Sequence, residues 1–410
     1  MRTRSIPIRP IWRYLLLGAF FTALWLSPAP APANAPQAVA DGAGSNVDPE
    51  PERSLVALNV VARSSATPVV ATEAPRPSAS ISAPATPEPT RAATSPPVLG
   101  SPSPSATPGR VAAPAPPRTF SNPVIDRDFP DPDLLRVGAS YYAYATNSGG
   151  TNVQVASSRD LVAWERLGDA LPSLPAWARP GRTWAPDVSA TPFGFVLYFT
   201  AQHADSGRQC IGVATSVSPA GPFRAAASPI MCQLDLGGSI DPASFVDADG
   251  TRYLAWKNDG NCCRIQTRIF VQRVSANGLT LEGSATAILA ADRAWEGGII
   301  EAPTLWRQGG RYYAFYSANG YAGANYAIGY AVADSIVGPY RKADVPWISS
   351  AGAVVGPGGQ DIVIAPDGST WLAYHSWDPS NRYRRLNLDR LAWNGAAPVA
   401  VPSLGPQPVP

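Results

Sequence analysis

The chain carries five short runs of aromatic and small apolar residues, and each run follows a turn. The residue types in these runs are typical of β-strands, and the residues before them favour turns. The turns begin at Gly138, Phe193, Gly250, Gly309 and Gly368, so successive copies are 55, 57, 59 and 59 residues apart. Helical periodicity is not sustained, and prolines interrupt most segments long enough to test. The pattern predicts an all-β domain of five similar units.

The nearly constant period also predicts how the units are arranged. Four strands and their turns fit within ~57 residues, and radial repetition of four-stranded sheets makes a β-propeller, here with five blades. A β-sandwich is the alternative, but a sandwich does not require a fixed period. In a propeller the first strand of each blade lines the central axis, so equivalent positions of the blades meet at one end.

An acidic residue precedes each of the five turns, at a similar distance. These residues, which stand 7, 6, 9, 8 and 7 positions ahead, are Asp131, Asp187, Asp241, Glu301 and Asp361. We expect them to share one blade position and to converge on one funnel. Like charges and partial burial raise the pKa of at least one carboxyl in such a cluster, which leaves a proton donor beside an ionised base. Such a pair can hydrolyse a glycosidic bond.

Composition divides the chain into three parts. Residues 1–35 have a basic region, a 13-residue mostly apolar run and then small residues, which is the order of a secretory signal peptide. Because Pro36 disfavours cleavage after Ala35, an N-terminal membrane anchor is the alternative. Residues 36–118 are rich in Pro, Ala, Ser and Thr and contain no Cys, Trp, Tyr or Phe, so we expect a disordered linker. Residues 119–405 form the propeller domain.

Charge and histidine content exclude other classes of function. After residue 118 the chain has 22 basic and 24 acidic residues, and its only lysines are Lys257 and Lys342. A nucleic-acid-binding domain would carry a basic surface, so an uncharged carbohydrate fits better as a partner. The only histidines are His203 and His375, and their spacing from the cysteines does not match a metal site.

The cysteines are even in number, which favours disulfides in an exported protein. They are Cys210, Cys232, Cys262 and Cys263, and they allow three pairings. We favour Cys210 with Cys232, because that bond could join neighbouring strands. The N-terminal segment predicts a secreted protein, or one held at the cell surface by a membrane tether. We also expect a monomer.

Several motifs resemble glycoside hydrolase family 43 between about residue 122 and residue 393. They are NPVIDRDFPDPDLL from Asn122, WAPDV from Trp184, SIDPASFVDADG from Ser239 and IIEAPTLW from Ile299. The resemblance implies a five-bladed propeller that cleaves arabinose- or xylose-containing plant polysaccharides with inversion at the anomeric carbon. It also implies that Asp131 is the general base and Glu301 the general acid, and that Asp241 orients the acid and modulates its pKa.

Aromatic content and the resemblance indicate which residues contact the sugar. Trp184, three residues before Asp187, is the strongest candidate for stacking on a sugar ring, and Trp256 and Trp295 are weaker ones. The remaining candidates for substrate binding are Phe129, Asp187, His375, Arg384 and Arg385. For each of them a structural role in the core or at the rim is the alternative.

The predicted chemistry requires no cofactor. Members of the family often have a GxGH motif in the last blade, with the histidine near a central ion. Here Gly359 stands where that histidine would fall, so we predict no metal requirement. A structural calcium ion in the central channel, held by Asp361 or by waters, is the alternative.

The residues and the resemblance together predict an inverting glycoside hydrolase, specifically an exo-acting α-L-arabinofuranosidase. β-Xylosidase and endo-arabinanase use the same three acids and are alternatives. Some xylosidases of the family carry a further C-terminal domain, and none follows Trp393 here, which favours arabinose. A non-catalytic sugar-binding propeller is the alternative from another class.

Two geometric expectations follow for the acids. Inversion requires room for a water molecule, so the carboxyls of Asp131 and Glu301 should lie roughly 6.5–9.5 Å apart. Alternation along a strand places Asp133 on the same face as Asp131. Asp126 and Asp128 are expected in turns or at the rim.

Overall fold

The computed structural model describes residues 118–410. The predicted signal peptide, and the predicted linker up to residue 117, lie outside the described residues. The described part is an all-β propeller of five blades, as predicted, with a separate two-stranded sheet. Its 3-10 helices are Leu234–Leu236, Gly260–Cys263 and Ala294–Glu296. No helix in this part of the chain is long and apolar enough to cross a bilayer.

Each blade is an antiparallel sheet of four consecutive strands. The strands are β1 (Thr119–Phe120), β2 (Asp133–Val137), β3 (Ser140–Ala145), β4 (Gln154–Ser158), β5 (Trp164–Asp169), β6 (Ala178–Thr191), β7 (Gly194–His203), β8 (Gln209–Ser216), β9 (Arg224–Ala225), β10 (Ser239–Val246), β11 (Arg252–Asn258), β12 (Arg268–Val274), β13 (Leu281–Ala290), β14 (Ile300–Gln308), β15 (Arg311–Ala318), β16 (Ala327–Ala333), β17 (Arg341–Lys342), β18 (Gly358–Ile364), β19 (Thr370–Trp377), β20 (Arg384–Asn394), β21 (Ala397–Val399) and β22 (Gln407–Pro408). Blades 1 to 5 are β2–β5, β6–β9, β10–β13, β14–β17 and β18–β21.

The repeated aromatic run forms the second strand of every blade. These strands are β3, β7, β11, β15 and β19. A second strand is paired on both edges, and its two faces pack against neighbouring blades, so its side chains are buried on both sides. In β11, for example, Leu254, Ala255 and Trp256 are all fully buried. The core is therefore divided into apolar clusters around these strands.

The first strand of each blade faces a central channel of about 310 Å³. In four blades a β-bulge interrupts the pairing of the first strand with the second. A residue with φ between 39° and 54° lies at the corresponding position in all five blades, namely Asp131, Ala185, Asp241, Ala302 and Gly359. A left-handed residue at a bulge breaks the alternation of a strand and re-aims the side chains on either side of it.

The two ends of the described chain meet at blade 5. β1 pairs antiparallel with β22. The side-chain amide of Asn122 donates to the carbonyl oxygens of Leu388 at 2.9 Å and of Ser403 at 2.8 Å. Its Oδ1 accepts the backbone N–H of Leu388 at 2.8 Å. Both ends are therefore fastened to β20, which closes the ring.

Two disulfides are present in the propeller. Cys210 of β8 bonds to Cys232 in the connection that follows β9, so the predicted pairing is confirmed. Cys262 bonds to its neighbour Cys263 within a 3-10 helix.

Candidate active site

The left-handed positions separate the acidic residues at the first strands into two groups. The first group lies at the left-handed position or directly before it, and consists of Asp131, Asp241 and Glu301. The second group lies two residues after that position, and consists of Asp133, Asp187 and Asp361. The prediction that five acids share one blade position is therefore wrong. Counting back from the turn could not reveal this, because the acids lie anywhere from one residue before to two residues after the left-handed position.

Asp131 and Asp133 also do not share a face, contrary to expectation. Strand alternation assumes extended backbone, whereas Asp131 has a φ of 52° and precedes β2. The Asp133 carboxylate reaches the backbone of blade 2, where the N–H of Val188 donates to it at 2.9 Å. The Asp131 carboxylate has a different set of partners.

The carboxylate of Asp131 is held at both oxygens. Nη1 of Arg384 lies 3.1 Å from Oδ1, and the hydroxyl of Thr146 donates to Oδ2 at 2.7 Å. The oxygen of Thr146 accepts the backbone N–H of Ala185 at 2.9 Å, so Thr146 is fixed between blades 1 and 2. The Asp131 side chain remains 19% exposed. A fixed carboxylate that water can reach has the geometry required of a general base.

His375 supports Asp131 as a neutral imidazole. The backbone N–H of Asp131 donates to Nδ1 of His375 at 3.1 Å, so that nitrogen carries no proton. Complete burial, and then the charge of Arg384, lower the pKa of His375 well below its usual value. The 3.4 Å approach of Nδ1 to Asp131 Oδ1 is therefore not an ion pair. The predicted sugar contact by His375 is not favoured, because its side chain is completely buried.

Asp241 and Glu301 approach each other across blades 3 and 4. The backbone N–H of Ala302 donates to Oδ2 of Asp241 at 2.9 Å, and the backbone N–H of Asp241 donates to the hydroxyl of Thr200 at 3.1 Å. Burial, and then the charge of Glu301, raise the pKa of Asp241 to about 7. Because the charge of Glu301 disfavours ionisation of Asp241, a proton can be held at this pair near neutral pH.

Glu301 is also held at both oxygens, and it remains 13% exposed. Nζ of Lys257 lies 2.8 Å from Oε2, and the hydroxyl of Tyr326 lies 2.8 Å from Oε1. The Tyr326 ring stacks on the imidazole of His375, with 5.8 Å between ring centres. The partners of Asp131 and of Glu301 are thus in contact, and the first group of acids forms one network.

The second group of acids joins neighbouring blades. Backbone N–H groups donate at 2.8–2.9 Å from Val188 to Asp133, from Ser244 to Asp187 and from Leu134 to Asp361. Burial raises the pKa of Asp187 to about 6 and that of Asp361 to about 7. Burial, and then the charges of the other two acids, raise the pKa of Asp133 well above its usual value. Asp187 therefore lines the channel and binds the next blade, and this position does not favour the predicted contact with the substrate.

The residues around Asp361 do not fit a metal ion ligated directly by side chains. Between residues 118 and 410, no group of three or more His, Cys, Asp or Glu side chains is placed to hold an ion. One oxygen of Asp361 already accepts the N–H of Leu134 at 2.8 Å.

Two of the predicted sugar contacts lie beside the first group of acids. Trp184 directly precedes the left-handed residue of blade 2, so it has the place in its blade that Glu301 has in blade 4, and it is half-buried. Arg384 begins β20 and binds Asp131. Its guanidinium carbon also lies 5.0 Å from the ring centre of Tyr321, an exposed aromatic residue.

Other predicted contacts lie away from this surface. Phe129 is completely buried in the core between blades 5 and 1, so it has no surface to offer a sugar. Arg385 is directed towards Asp126, with 3.9 Å between Nη1 and Oδ1, and not towards the first group of acids. Trp256 stacks on Phe270 in the core, and the half-buried Trp295 stacks on Tyr316 at the edge of the core.

Sequence reasoning missed three residues of the network. Thr146 follows the aromatic run of blade 1, and Tyr326 lies in a glycine-rich connection before β16; neither belongs to a motif. Lys257 alone carried a signal, because it is one of only two lysines in the chain and ends the aromatic run of blade 3. Nothing in the sequence assigned that lysine a partner.

Comparison with known proteins agrees with the fold. A model of glycosyl hydrolases family 43 matches residues 120–397. A putative β-xylosidase of Xylanibacter ruminicola is 29% identical over 287 residues, which cover 68% of this chain and 50% of the relative. An extracellular exo-α-(1→5)-L-arabinofuranosidase of Cellvibrio japonicus is 25% identical over 303 residues, which cover 65% of this chain and 84% of the relative. The crystal structure of a thermostable family-43 glycoside hydrolase is 32% identical with a TM-score of 0.65, and the match covers 71% of this chain and 99% of that one.

The five-bladed propeller and the matching family model define the class of protein, the glycosyl hydrolases. The chain belongs to glycosyl hydrolases family 43, whose model covers more than half of it. The chain spans half the length of the X. ruminicola relative and most of the C. japonicus relative.

Proposed function

We propose that the chain is an inverting, exo-acting α-L-arabinofuranosidase that acts on arabinan, arabinoxylan or oligosaccharides derived from them. The observation that carries the proposal is the network that joins Asp131, Asp241 and Glu301. In it, one carboxylate is fixed by donors at both oxygens, and a pair of carboxylates opposite can hold a proton. The choice of arabinose is supported by the C. japonicus relative, which is named an exo-arabinofuranosidase.

In the proposed reaction, a water molecule attacks the anomeric carbon and Asp131 accepts its proton. Glu301 donates a proton to the glycosidic oxygen, which leaves as an alcohol. Before the substrate binds, the negative charge of Asp241 favours a proton on Glu301. After the reaction, proton exchange with solvent removes the proton from Asp131 and returns one to Glu301. The products are a sugar of inverted anomeric configuration and a shortened chain.

Trp184, Tyr321 and Arg384 form the proposed contacts with the sugar. Tyr321 is exposed and Trp184 is half-buried, so both rings offer surface to a ligand. Aromatic faces stack well on sugar rings. Arg384 links these contacts to the chemistry, because the same guanidinium binds Asp131.

The experiment compares aryl α-L-arabinofuranoside with aryl β-D-xyloside, and then uses linear arabinan. We expect a higher kcat/KM for the arabinofuranoside, release of single arabinose units from arabinan, and β-arabinose as the first product seen by NMR. α-Arabinose as the first product would contradict inversion, and internal cleavage of arabinan would contradict exo action. Sugar binding without any hydrolysis would favour a sugar-binding propeller.

β-Xylosidase activity is the second candidate. It is favoured by the X. ruminicola relative, which is named a putative β-xylosidase. A higher kcat/KM for the xyloside in the same assay would establish this candidate in place of the first.

We also propose that the protein is secreted, as a monomer. The support is the order of residues in the first 35 positions and the C. japonicus relative, which is named extracellular. Detection of the mature protein in the medium of the producing cells, and its mass in solution, would test this.

A further inference from the structure

Lys257 is a charged residue that takes no part in the proposed proton transfers. It lies in β11 and is completely buried. A buried ammonium group is costly unless it is paired and hydrogen-bonded. Its Nζ donates to two oxygens, Oε2 of Glu301 and Oδ1 of Asn261, and both distances are 2.8 Å. One of its two partners is thus the proposed general acid.

Acidic groups on three elements keep Lys257 charged. Burial alone would lower its pKa, but the charges of Glu301 on β14 and Asp241 on β10 outweigh burial and raise the pKa above its usual value. Asp259, in the connection after β11, adds a smaller contribution in the same direction. A positive charge therefore stands against Oε2 of Glu301 at neutral pH.

Asn261 lies in a turn that is closed covalently. The turn is the 3-10 helix Gly260–Cys263, and the two residues after Asn261 form the Cys262–Cys263 disulfide. The guanidinium of Arg208 lies against both sulfur atoms. A Cβ at Gly260 would lie only 2.4 Å from the carbonyl oxygen of Ile265, so the backbone passes itself too closely for any side chain there. Asn261 is exposed and is held in place by this turn.

An ammonium group can donate hydrogen bonds but cannot accept them. An oxygen of Glu301 that faces Lys257 therefore cannot direct a proton towards it, and the acidic proton belongs on Oε1. The hydroxyl of Tyr326, which lies 2.8 Å from Oε1, can both donate and accept. The two partners thus distinguish the two oxygens of one carboxyl.

We propose that Lys257, oriented by Asn261 of the disulfide-closed turn, is a positioning residue that fixes the Glu301 carboxyl with its acidic proton on Oε1. This inference rests on the proposed role of Glu301 as the general acid. The adjacent disulfide supports the arrangement by holding Asn261 against Lys257.

The test compares Lys257→Met and Asn261→Ala on substrates with poor and good leaving groups. A poor leaving group needs the proton from Glu301, so we expect kcat to fall about 10- to 100-fold on natural oligosaccharides. A dinitrophenyl glycoside needs little protonation, so its kcat should fall much less. In Lys257→Met the high-pH limb of the kcat/KM profile should also move to higher pH, because a positive charge beside Glu301 is lost. The other titratable groups around this site are unchanged, namely Asp241, Asp259, Asp131 and Tyr326.

Lys342→Met is the matched control. Lys342 is the other lysine of the chain. Its side chain is only 4% exposed, and its Nζ lies 2.6 Å from Oε1 of Glu296, which does not belong to the network of Asp131, Asp241 and Glu301. Its replacement should lower Tm without changing the ratio of rates on the two substrates. This separates the loss of a buried ion pair from the loss of positioning.

Cys262→Ser with Cys263→Ser tests the turn without touching the buried lysine. We expect the same selective loss on poor leaving groups, in the direction seen for Asn261→Ala. The inference is overturned if Asn261→Ala and the double serine variant both keep the wild-type rate ratio and pH profile while the wild type is active. Inactivity of the wild type on every arabinoside and xyloside would instead overturn the proposed function, and this inference with it.

Discussion

Single residues with left-handed backbone decide where each carboxylate points. Asp131 and Asp241 have φ values of 52° and 54°, and aspartate tolerates this region better than most residues. In blade 4 the conformation is carried by Ala302, so Glu301 enters the network from one residue earlier. The motifs that resemble the family nominated these three acids from sequence, whereas the repeat alone could not separate them from Asp187.

Replacement of Glu301 by Gln keeps the shape of the side chain and removes the acidic proton. We expect hydrolysis of natural substrates to fall about 10²- to 10⁴-fold, the usual contribution of general acid catalysis. A dinitrophenyl glycoside should be affected much less, and the circular dichroism spectrum should not change. Undiminished hydrolysis of natural substrates by Glu301→Gln would reject the assignment of the acid.

Gly359 permits the close packing behind Asp131. A Cβ at this position would lie 2.6 Å from Nδ1 of His375 and 2.9 Å from Oδ1 of Asp131. We therefore expect Gly359→Ala to lower kcat at least about tenfold, because displacement of a catalytic group by about 1 Å costs rate steeply. Steady-state kinetics on the aryl arabinofuranoside measures the effect.

Gly368→Ala is the control for that substitution. Gly368 also has a positive φ, of 84°, but a Cβ there would meet nothing within 4 Å. It should lower stability through backbone strain and leave kcat unchanged. Equal losses of kcat in the two variants would contradict the proposed role of Gly359.

At the scale of elements, hydrogen bonds between first strands join neighbouring blades. Asp133, Asp187 and Asp361 each accept a backbone N–H from the first strand of the next blade. Between blades 4 and 5 the hydroxyl of Thr304 donates to the carbonyl oxygen of Gln360 at 2.6 Å. The aromatic runs predicted the second strands well, because full burial imposes a strong pattern. The bulges leave no such pattern in the sequence, so the hydrogen bonds between first strands could not be predicted.

Asp361→Asn should stabilise the protein at pH 8. The pKa of Asp361 is raised to about 7 by burial, so its contribution to stability is complete below the unfolded value near 4 and is lost as the pH rises through about 7. Asn can still accept the N–H of Leu134 but carries no charge. We expect a gain on the order of 1–3 kcal/mol at pH 8 and none at pH 4, measured by thermal unfolding.

Asp367→Asn is the control with the opposite sign. Hydrogen bonds from Ser369 lower the pKa of Asp367, so its replacement should give no gain at pH 8. A lower Tm of Asp361→Asn at pH 8 would contradict the destabilising effect of the ionised carboxylate.

At the scale of the whole molecule, the number of blades follows from the number of copies in the sequence, but the closure of the ring does not. Five copies spaced by 55 to 59 residues were enough to predict five similar units. β1 and β22 have two residues each, and strands so short carry no periodicity. Likewise, only the folded chain shows that Asn122 and Gln407 both reach Leu388.

Removal of residues 403–410 should destabilise the ring. The truncation removes β22, the Ser403 carbonyl that accepts from Asn122, and the Gln407 side chain that donates to Leu388 and Asp389 at 3.0 Å. We expect a loss of about 2–4 kcal/mol, from several hydrogen bonds at roughly 1 kcal/mol each. Chemical denaturation measures the change.

Val401→Ser provides the comparison for the truncation. Val401 lies just before the removed segment and is 75% exposed, so its replacement should leave stability within about 0.5 kcal/mol of wild type. A truncated protein as stable as Val401→Ser would show that β1 and β22 do not hold the ring closed.

The pairing of β1 with β22 makes the order of the blades along the chain independent of where the polypeptide starts. The backbone N–H of Val409 donates to the carbonyl oxygen of Arg118 at 3.0 Å, so a short linker could join these ends of the propeller. New ends could then be opened in an exposed turn such as Gly309–Gly310, as is tolerated at exposed loop tips. That turn lies at the far end of β14 from Glu301, so a circularly permuted enzyme could carry a fusion partner on the face opposite the sugar.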